Sequence, residues 1–137
     1  MAQVHDIDRY STAPDASDLE ALAREGLATI PMELRRVMSG LVIRIEEFPD
    51  EETLDDLDCD SAFELLGLYR GVHLARKSQF DQPDDVDTVY LYRRPILDYW
   101  CESGEMLADI VRHVLIHEIG HHFGFSDDDM ERLEEQA

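Results

Sequence analysis

Two histidines and a glutamate near the end of the chain have the types and the spacing to hold a metal ion. They lie in the segment VLIHEIGHHFGFSDDDM, residues 114–130. His117 and His121 are four positions apart, so on a helix both side chains lie on one face, about 6 Å apart along the axis. Two imidazoles placed in this way can bind one zinc ion at about 2.1 Å.

Glu118 follows His117 directly, so on the same helix its carboxylate points beside such an ion and not at it. A carboxylate in that position can take a proton from a zinc-bound water and later deliver the proton to a leaving amine. Zinc would lower the pKa of that water to about 7. The HExxH pattern therefore predicts zinc-dependent hydrolysis with Glu118 as the catalytic base.

Two later residues extend the motif to HExxHxxGxxD, which is far more specific than HExxH alone. Gly124 can adopt the left-handed conformation that ends a helix. The chain can then turn back and bring Asp127 to the ion as the third ligand, with Asp128 or a water as alternatives. Asp127 could instead favour the start of a last helix, where Ser126 and Asp129 have the spacing of a capping box.

The other histidines are not predicted to bind the ion, and His113 is expected either to contact a metal ligand or to have a structural role. His113 lies about 12 Å from His121 along the helix, too far for three imidazoles to share one ion. His122 projects about 100° away from His121 and is expected to pack or to be solvated. His5 and His73 lie outside the motif. A glutamate ligand from a distant later helix is hard to arrange, because only 16 residues follow His121.

Length and charge limit the classes of function. The chain has 137 residues with 44% hydrophobic side chains, which suits one domain with an ordinary core. Its formal charge of −20 repels phosphate backbones, so no nucleic-acid partner is expected, whereas a basic peptide would be attracted.

We find neither a secretion signal nor a membrane span. Cys59 and Cys101 have no metal-site spacing, and together these features predict a cytoplasmic protein with reduced thiols.

Hydrophobic periodicity predicts an α+β domain over residues 17–137, preceded by a flexible arm over residues 1–16. Helices are predicted from Asp18, from Pro31 to about residue 39, from Pro95, over residues 105–125 and at the carboxyl end. Strands are predicted in LVIRIEEF and VDTVYLYRRP, and a hairpin or bend in FELLGLYRGVHLAR. The strand at residues 88–93 is expected to offer an edge to an extended peptide, with Tyr90 and Tyr92 at the contact.

The segment HEIGHHFGFSD resembles the signature of the small bacterial minimal-zincin metallopeptidases. The segments LLGLYRGVHL, DTVYLYRRPIL and VRHVLIHEIGHH also match, so the resemblance covers roughly residues 30–134. It implies one compact zincin-like domain with a small mixed β-sheet packed on the active-site helix and with flanking helices. On matching positions it implies one zinc per chain held by His117, His121 and Asp127, with Glu118 as the base and a peptide or protein as substrate.

The chain departs from larger relatives of that family. Metzincins carry a histidine where Asp127 stands and place a methionine turn downstream, and Met130 is too close to the motif to form that turn. The support beneath the zinc must therefore differ. The leading hypothesis is a zinc-dependent peptidase. The alternative is a zinc-stabilised, non-catalytic interaction module whose acidic surface recruits a basic partner.

Overall fold

The computed structural model describes residues 6–32, 35, 40–71 and 87–135, without the side chain of Asp127. Two 3-10 turns span Ile7–Arg9 and Ala62–Glu64. The helices are α1 (Ala16–Ala28), α2 (Glu51–Asp56), α3 (Arg93–Ser103), α4 (Leu107–His122) and α5 (Asp127–Glu135). The strands are β1 (Val42–Glu46), β2 (Gly67–Arg70) and β3 (Thr88–Tyr92). Most of the helix predicted from Pro31, the chain beyond residue 71 that would complete the hairpin, His5 and His73 lie outside the described residues.

The three strands form one mixed sheet in the order β1, β3, β2. β1 pairs with β3 in parallel, and β2 pairs with β3 in antiparallel orientation. β3 is therefore the middle strand, and the prediction that residues 88–93 offer an edge is wrong. The physical reason is visible in its burial. Four of its five residues are buried and Tyr90 is half-buried, as expected of a strand that is covered on both faces.

The helices α1 and α4 pack together against the sheet and enclose the core, which confirms the α+β class. The sheet contributes Ile43, Val89 and Leu91 to this core. β2 and α4 approach closely at Gly67, where a Cβ atom would stand only 2.5 Å from Val114 Cγ1. The missing side chain at Gly67 therefore lets β2, which is an edge strand of the sheet that the described residues form, lie directly against the helix that carries the histidines.

Most predicted elements are found, with shifted ends. α1 begins with a capping box, in which Asp15 and Asp18 each accept a hydrogen bond from the other's backbone N–H. Leu19 and Ala23 then form its buried stripe, as the periodicity predicts. α3 begins at Arg93, two residues before the predicted start at Pro95. Pro95 still lies in the first turn, where its missing N–H costs no helical hydrogen bond.

Part of the segment predicted as a flexible arm packs against the domain. Asp6 is only 6% exposed, and its carboxylate accepts hydrogen bonds from the Trp100 indole N–H at 2.7 Å and from the Leu107 backbone N–H at 3.2 Å. Pro14 is fully buried, and its carbonyl accepts a hydrogen bond from Arg93 Nε. Asp6 thus caps the first residue of α4 from far along the chain. The domain boundary at residue 16 stays a prediction.

The substitution Asp6→Ala is expected to lower the free energy of unfolding by about 1–3 kcal/mol. It removes an acceptor at 2.7 Å from the buried Trp100 indole N–H, and it removes the cap of α4. Urea unfolding followed by tryptophan fluorescence measures the change. Asp8→Ala is the matched control, since Asp8 is exposed in the same turn, and its effect should stay within about 0.5 kcal/mol. Equal effects of both substitutions would contradict a capping role for Asp6.

Candidate metal and catalytic site

The helix α4 ends directly after the HExxH motif, in a hydrogen-bond pattern that reverses the chain. Gly124 has a φ of +76°, the left-handed conformation that glycine adopts without strain. The Gly124 N–H donates to the His121 carbonyl at 3.2 Å, and the Phe125 N–H donates to the Gly120 carbonyl at 2.8 Å. This is a Schellman motif. The predicted role of Gly124 as the end of the helix is confirmed.

The next helix, α5, begins at once with the capping box predicted from the sequence. The Asp129 N–H donates to Ser126 Oγ at 3.1 Å, and the Ser126 N–H donates to Asp129 Oδ2 at 3.2 Å. These bonds from Ser126 lower the pKa of the Asp129 carboxyl below its ordinary value. Because Ser126 and Asp129 form the cap, the side chain of Asp127 is not needed for it.

The helix α5 runs back along α4 and is fixed to it by packing and hydrogen bonds. Met130 is fully buried against Gly120, where a Cβ atom would stand 2.7 Å from Met130 Cγ. Arg112 donates to the carbonyls of Leu133 at 2.7 Å and Glu134 at 3.0 Å. Met130 is thus a support behind the HExxH segment, although it forms no separate turn.

The substitution Gly120→Ala is expected to destabilise the protein by about 1 kcal/mol, even though alanine is the better helix former. The gain in helix propensity is at most about 1 kcal/mol, whereas overpacking against the buried Met130 costs about 1–3 kcal/mol. Gly26→Ala is the control, because Gly26 is also helical but has only ordinary contacts, the nearest at 3.5 Å. Thermal unfolding of both variants measures the difference. A Gly120→Ala variant as stable as Gly26→Ala would show that α5 does not hold α4 at this point.

Three histidines follow one another along α4 at four-residue intervals. The ring centroids of His113 and His117 are 4.0 Å apart, and those of His117 and His121 are 6.0 Å apart. His117 is half-buried, whereas His113 and His121 are exposed. The predicted shared face of His117 and His121 is therefore present, with His113 on the other side of His117.

Glu118 points from α4 to the edge strand β2. Its Oε1 accepts a hydrogen bond from the Tyr69 backbone N–H at 3.2 Å. Burial raises the pKa of the Glu118 carboxyl above its ordinary value, while the Tyr69 N–H and the nearby His121 oppose that shift. A carboxylate with a raised pKa binds a proton more strongly, which suits a general base.

A groove of about 340 Å³ lies along β2 and is lined in part by Tyr69, the residue whose backbone N–H binds Glu118. Tyr69 forms one wall and stacks on His122, with ring centroids 4.0 Å apart. The predicted packing role of His122 thus fits its position. The lining of the groove includes Thr53, Asp56, Leu57, Tyr69, Arg70 and His122. Sequence reasoning did not single out Tyr69 among the tyrosines, although the segment around it belongs to a resembling stretch.

A glutamate that the sequence does not predict lies next to the histidines. Glu134 Oε1 is 2.5 Å from His113 Nδ1, and Glu134 Oε2 is 3.8 Å from His117 Nε2. Glu134 reaches them because α5 follows the motif directly and returns along α4. Donor atoms of His113, His117 and Glu134 lie within 4.8 Å of one another.

An α+β domain in which a small mixed sheet packs on a helix with the HExxH motif has the architecture of zincin-like proteins. The family model described as zincin-like metallopeptidase matches residues 38–137, more than two thirds of the chain. The chain therefore belongs to the zincin-like metallopeptidase family, as the resemblance implied. Among curated proteins, none matches the chain. Family membership supports a zinc metallopeptidase kind of function, with peptides or proteins as substrates.

The donor atoms at the site fit zinc, the ion that the family implies. Zinc takes imidazole nitrogen and carboxylate oxygen as ligands. His117 and His121 offer such nitrogens from one side of α4, with their ring centroids 6.0 Å apart. Among the described residues, no helix has the length and apolar character to cross a membrane.

Proposed function

We propose that this chain is a zinc-dependent peptidase in which Glu118 is the catalytic base. One observation carries the proposal: a half-buried Glu118 reaches the backbone of an edge strand from a position between His117 and His121. An edge strand can bind an extended peptide, and the carboxylate lies at that edge. The candidate base and the candidate substrate-binding backbone are therefore neighbours.

The proposed zinc ligands are His117, His121 and Asp127, one ion per chain. The histidines share a face of α4, and the chain reversal at Gly124 starts α5 at Asp127. Ser126 and Asp129 form the capping box of α5, and a carboxylate at the first position of that helix also favours its positive end. Asp128 or a water remains the alternative third ligand.

Bound zinc would supply a polarised water with a pKa near 7. Glu118 would accept the proton of that water on a carboxylate oxygen and donate it to the leaving amine. Its raised pKa favours the first transfer, and the hydrogen bond from the Tyr69 N–H holds the carboxylate in place. Tyr69 here acts through its backbone, so the phenol is not required for this step.

The proposed peptide-binding edge is β2, and not β3 as the sequence suggested. The Leu66 carbonyl accepts a hydrogen bond from the Tyr92 N–H, so along the antiparallel pair the backbone groups of Leu66 and Leu68 point to β3. The groups of Gly67 and Tyr69 then point away from β3, where the described residues contain no further strand, and the Tyr69 N–H already binds Glu118. A peptide added along this edge would pass Glu118 and could place a side chain in the neighbouring groove. The charge of −20 favours basic peptides.

The test is to digest a peptide library with protein purified without a histidine tag, after its zinc content has been measured by mass spectrometry. We expect one zinc per chain, cleavage that a chelator abolishes and cleavage that returns with added zinc. Basic peptides should be cleaved faster than acidic ones of the same length. A protein that holds zinc but cleaves no peptide would instead support the non-catalytic interaction module. A folded protein that takes up no zinc would overturn the proposal.

A further inference from the structure

The carboxylate of Glu134 lies between His113 and His117, the two histidines that come before Glu118 on α4. Its Oε1 lies 2.5 Å from His113 Nδ1, and its Oε2 lies 3.8 Å from His117 Nε2. The side chain of Glu134 is only 24% exposed, in a chain with 32 acids among 137 residues. Most acids of so acidic a protein can remain in water, so the burial of this one beside imidazoles indicates a specific arrangement.

The position of this carboxylate is set by the docking of α5 and not by chance contact of exposed side chains. Arg112, one residue before His113, binds the carbonyls of Leu133 and Glu134. Met130, one turn earlier on α5, is fully buried against α4. The backbone that carries Glu134 is therefore fixed relative to the histidines at two points.

We propose that His113, His117 and Glu134 hold a divalent cation, with Zn²⁺ as the best match, at a second position next to the proposed catalytic one. Two imidazole nitrogens and one carboxylate oxygen form a known type of three-residue zinc site that leaves a place for water. The donor atoms lie within 4.8 Å of one another, so shifts of about 1 Å would bring them to the spacing of about 3.4 Å around one zinc. His113 is 55% exposed, which opens a path from solvent.

The second position goes beyond the proposed peptidase function, because it needs neither His121 nor Asp127. It does share His117, whose Nε2 has one lone pair and can bind only one cation at a time. Occupation of one position should therefore weaken the other.

The test uses the full chain with the proposed catalytic position removed by His121→Ala and Asp127→Ala. Zn²⁺ alone is titrated in competition with a chromogenic chelator, and Co²⁺ is added separately to record its visible absorption. We expect this double variant to bind one Zn²⁺. Addition of Glu134→Gln should weaken that binding by about 10-fold or more. Loss of a residue that only contacts a ligand weakens metal affinity by about 10–100-fold, and loss of a ligand should weaken it at least as much. Addition of Glu135→Gln, at the exposed neighbouring position, should leave it unchanged.

Circular dichroism of each variant shows that it is folded, and His113→Ala in the same background gives a second, independent way to remove a donor. If the double variant binds no Zn²⁺ while the unmodified chain does, the second position is refuted and the proposed catalytic position stands. If Glu134→Gln and Glu135→Gln have equal effects, the binding lies elsewhere and the second position is also refuted. Binding that falls with both Glu134→Gln and His113→Ala supports it, whatever the outcome of the peptidase assay.

Discussion

Glu118→Gln is expected to lower the turnover number by about 10²–10⁴-fold while the zinc content stays at one per chain. Glutamine keeps the size of the side chain and an oxygen that can accept the hydrogen bond from the Tyr69 N–H. It cannot take up a proton, so only the base is lost. The measurement is the turnover number on one cleaved peptide, together with zinc content by mass spectrometry.

Glu131→Gln is the matched control for this experiment, because it makes the same change at an exposed position of α5. Its turnover number should equal that of the unmodified chain. Turnover retained in Glu118→Gln would remove Glu118 from the mechanism. Loss of zinc in the same variant would instead assign Glu118 a role in holding the metal.

His117→Ala is expected to abolish zinc binding and, with it, peptide cleavage. His117 belongs to both candidate donor sets, so its removal leaves neither with two histidines in place. The zinc affinity should fall by more than the roughly 10–100-fold that the loss of an outer-sphere partner causes.

Zinc at 100 times its dissociation constant stabilises a folded protein by about 2.7 kcal/mol, so the unmodified chain should unfold at a higher temperature with zinc than without. The His117→Ala variant should show no such shift.

His122→Ala is the control for the loss of an imidazole. His122 stacks on Tyr69 and belongs to neither donor set, so the zinc-dependent rise in unfolding temperature should remain in this variant. A rise that persists in His117→Ala as well would show that the ion is bound away from α4. That result would contradict both proposed metal positions.

Local patterns predicted the elements well, because each depends on neighbours within one or two turns. The apolar stripe of α1, the alternation of β1 and the Gly124 helix end all follow from short-range spacing. The order of the strands could not be predicted in the same way. β3 pairs in parallel with β1, more than 40 residues earlier, and no short-range signal specifies that pairing. The unbroken run of β-branched, apolar and aromatic residues in β3, TVYLY, was a sequence sign that it lies in the middle of the sheet.

For the candidate site, too, short-range spacing could be predicted from the sequence and long-range contacts could not. The spacing of His117, Glu118 and His121 predicts their common helix, but not the strand that Glu118 contacts, because Tyr69 lies 49 residues away. The approach of Glu134 depends on the direction that α5 takes after the Schellman motif. Met130 and Leu133 on the inner side of α5 were a sequence signal for that direction, since apolar residues three apart mark the face of a helix that packs.

The contact of Asp6 with the start of α4 should control the transient opening of the first turn of this helix. The Leu107 N–H is hydrogen-bonded to a residue 101 positions earlier, and no other cap of α4 by a side chain is present among the described residues. Transient detachment of residues 6–14 would therefore expose the first turn of the histidine-bearing helix. In a hydrogen-exchange experiment, the Leu107 amide and the Trp100 indole should exchange as one cooperative unit with the same opening free energy. The far end of α4, fixed by α5, should exchange separately and more slowly.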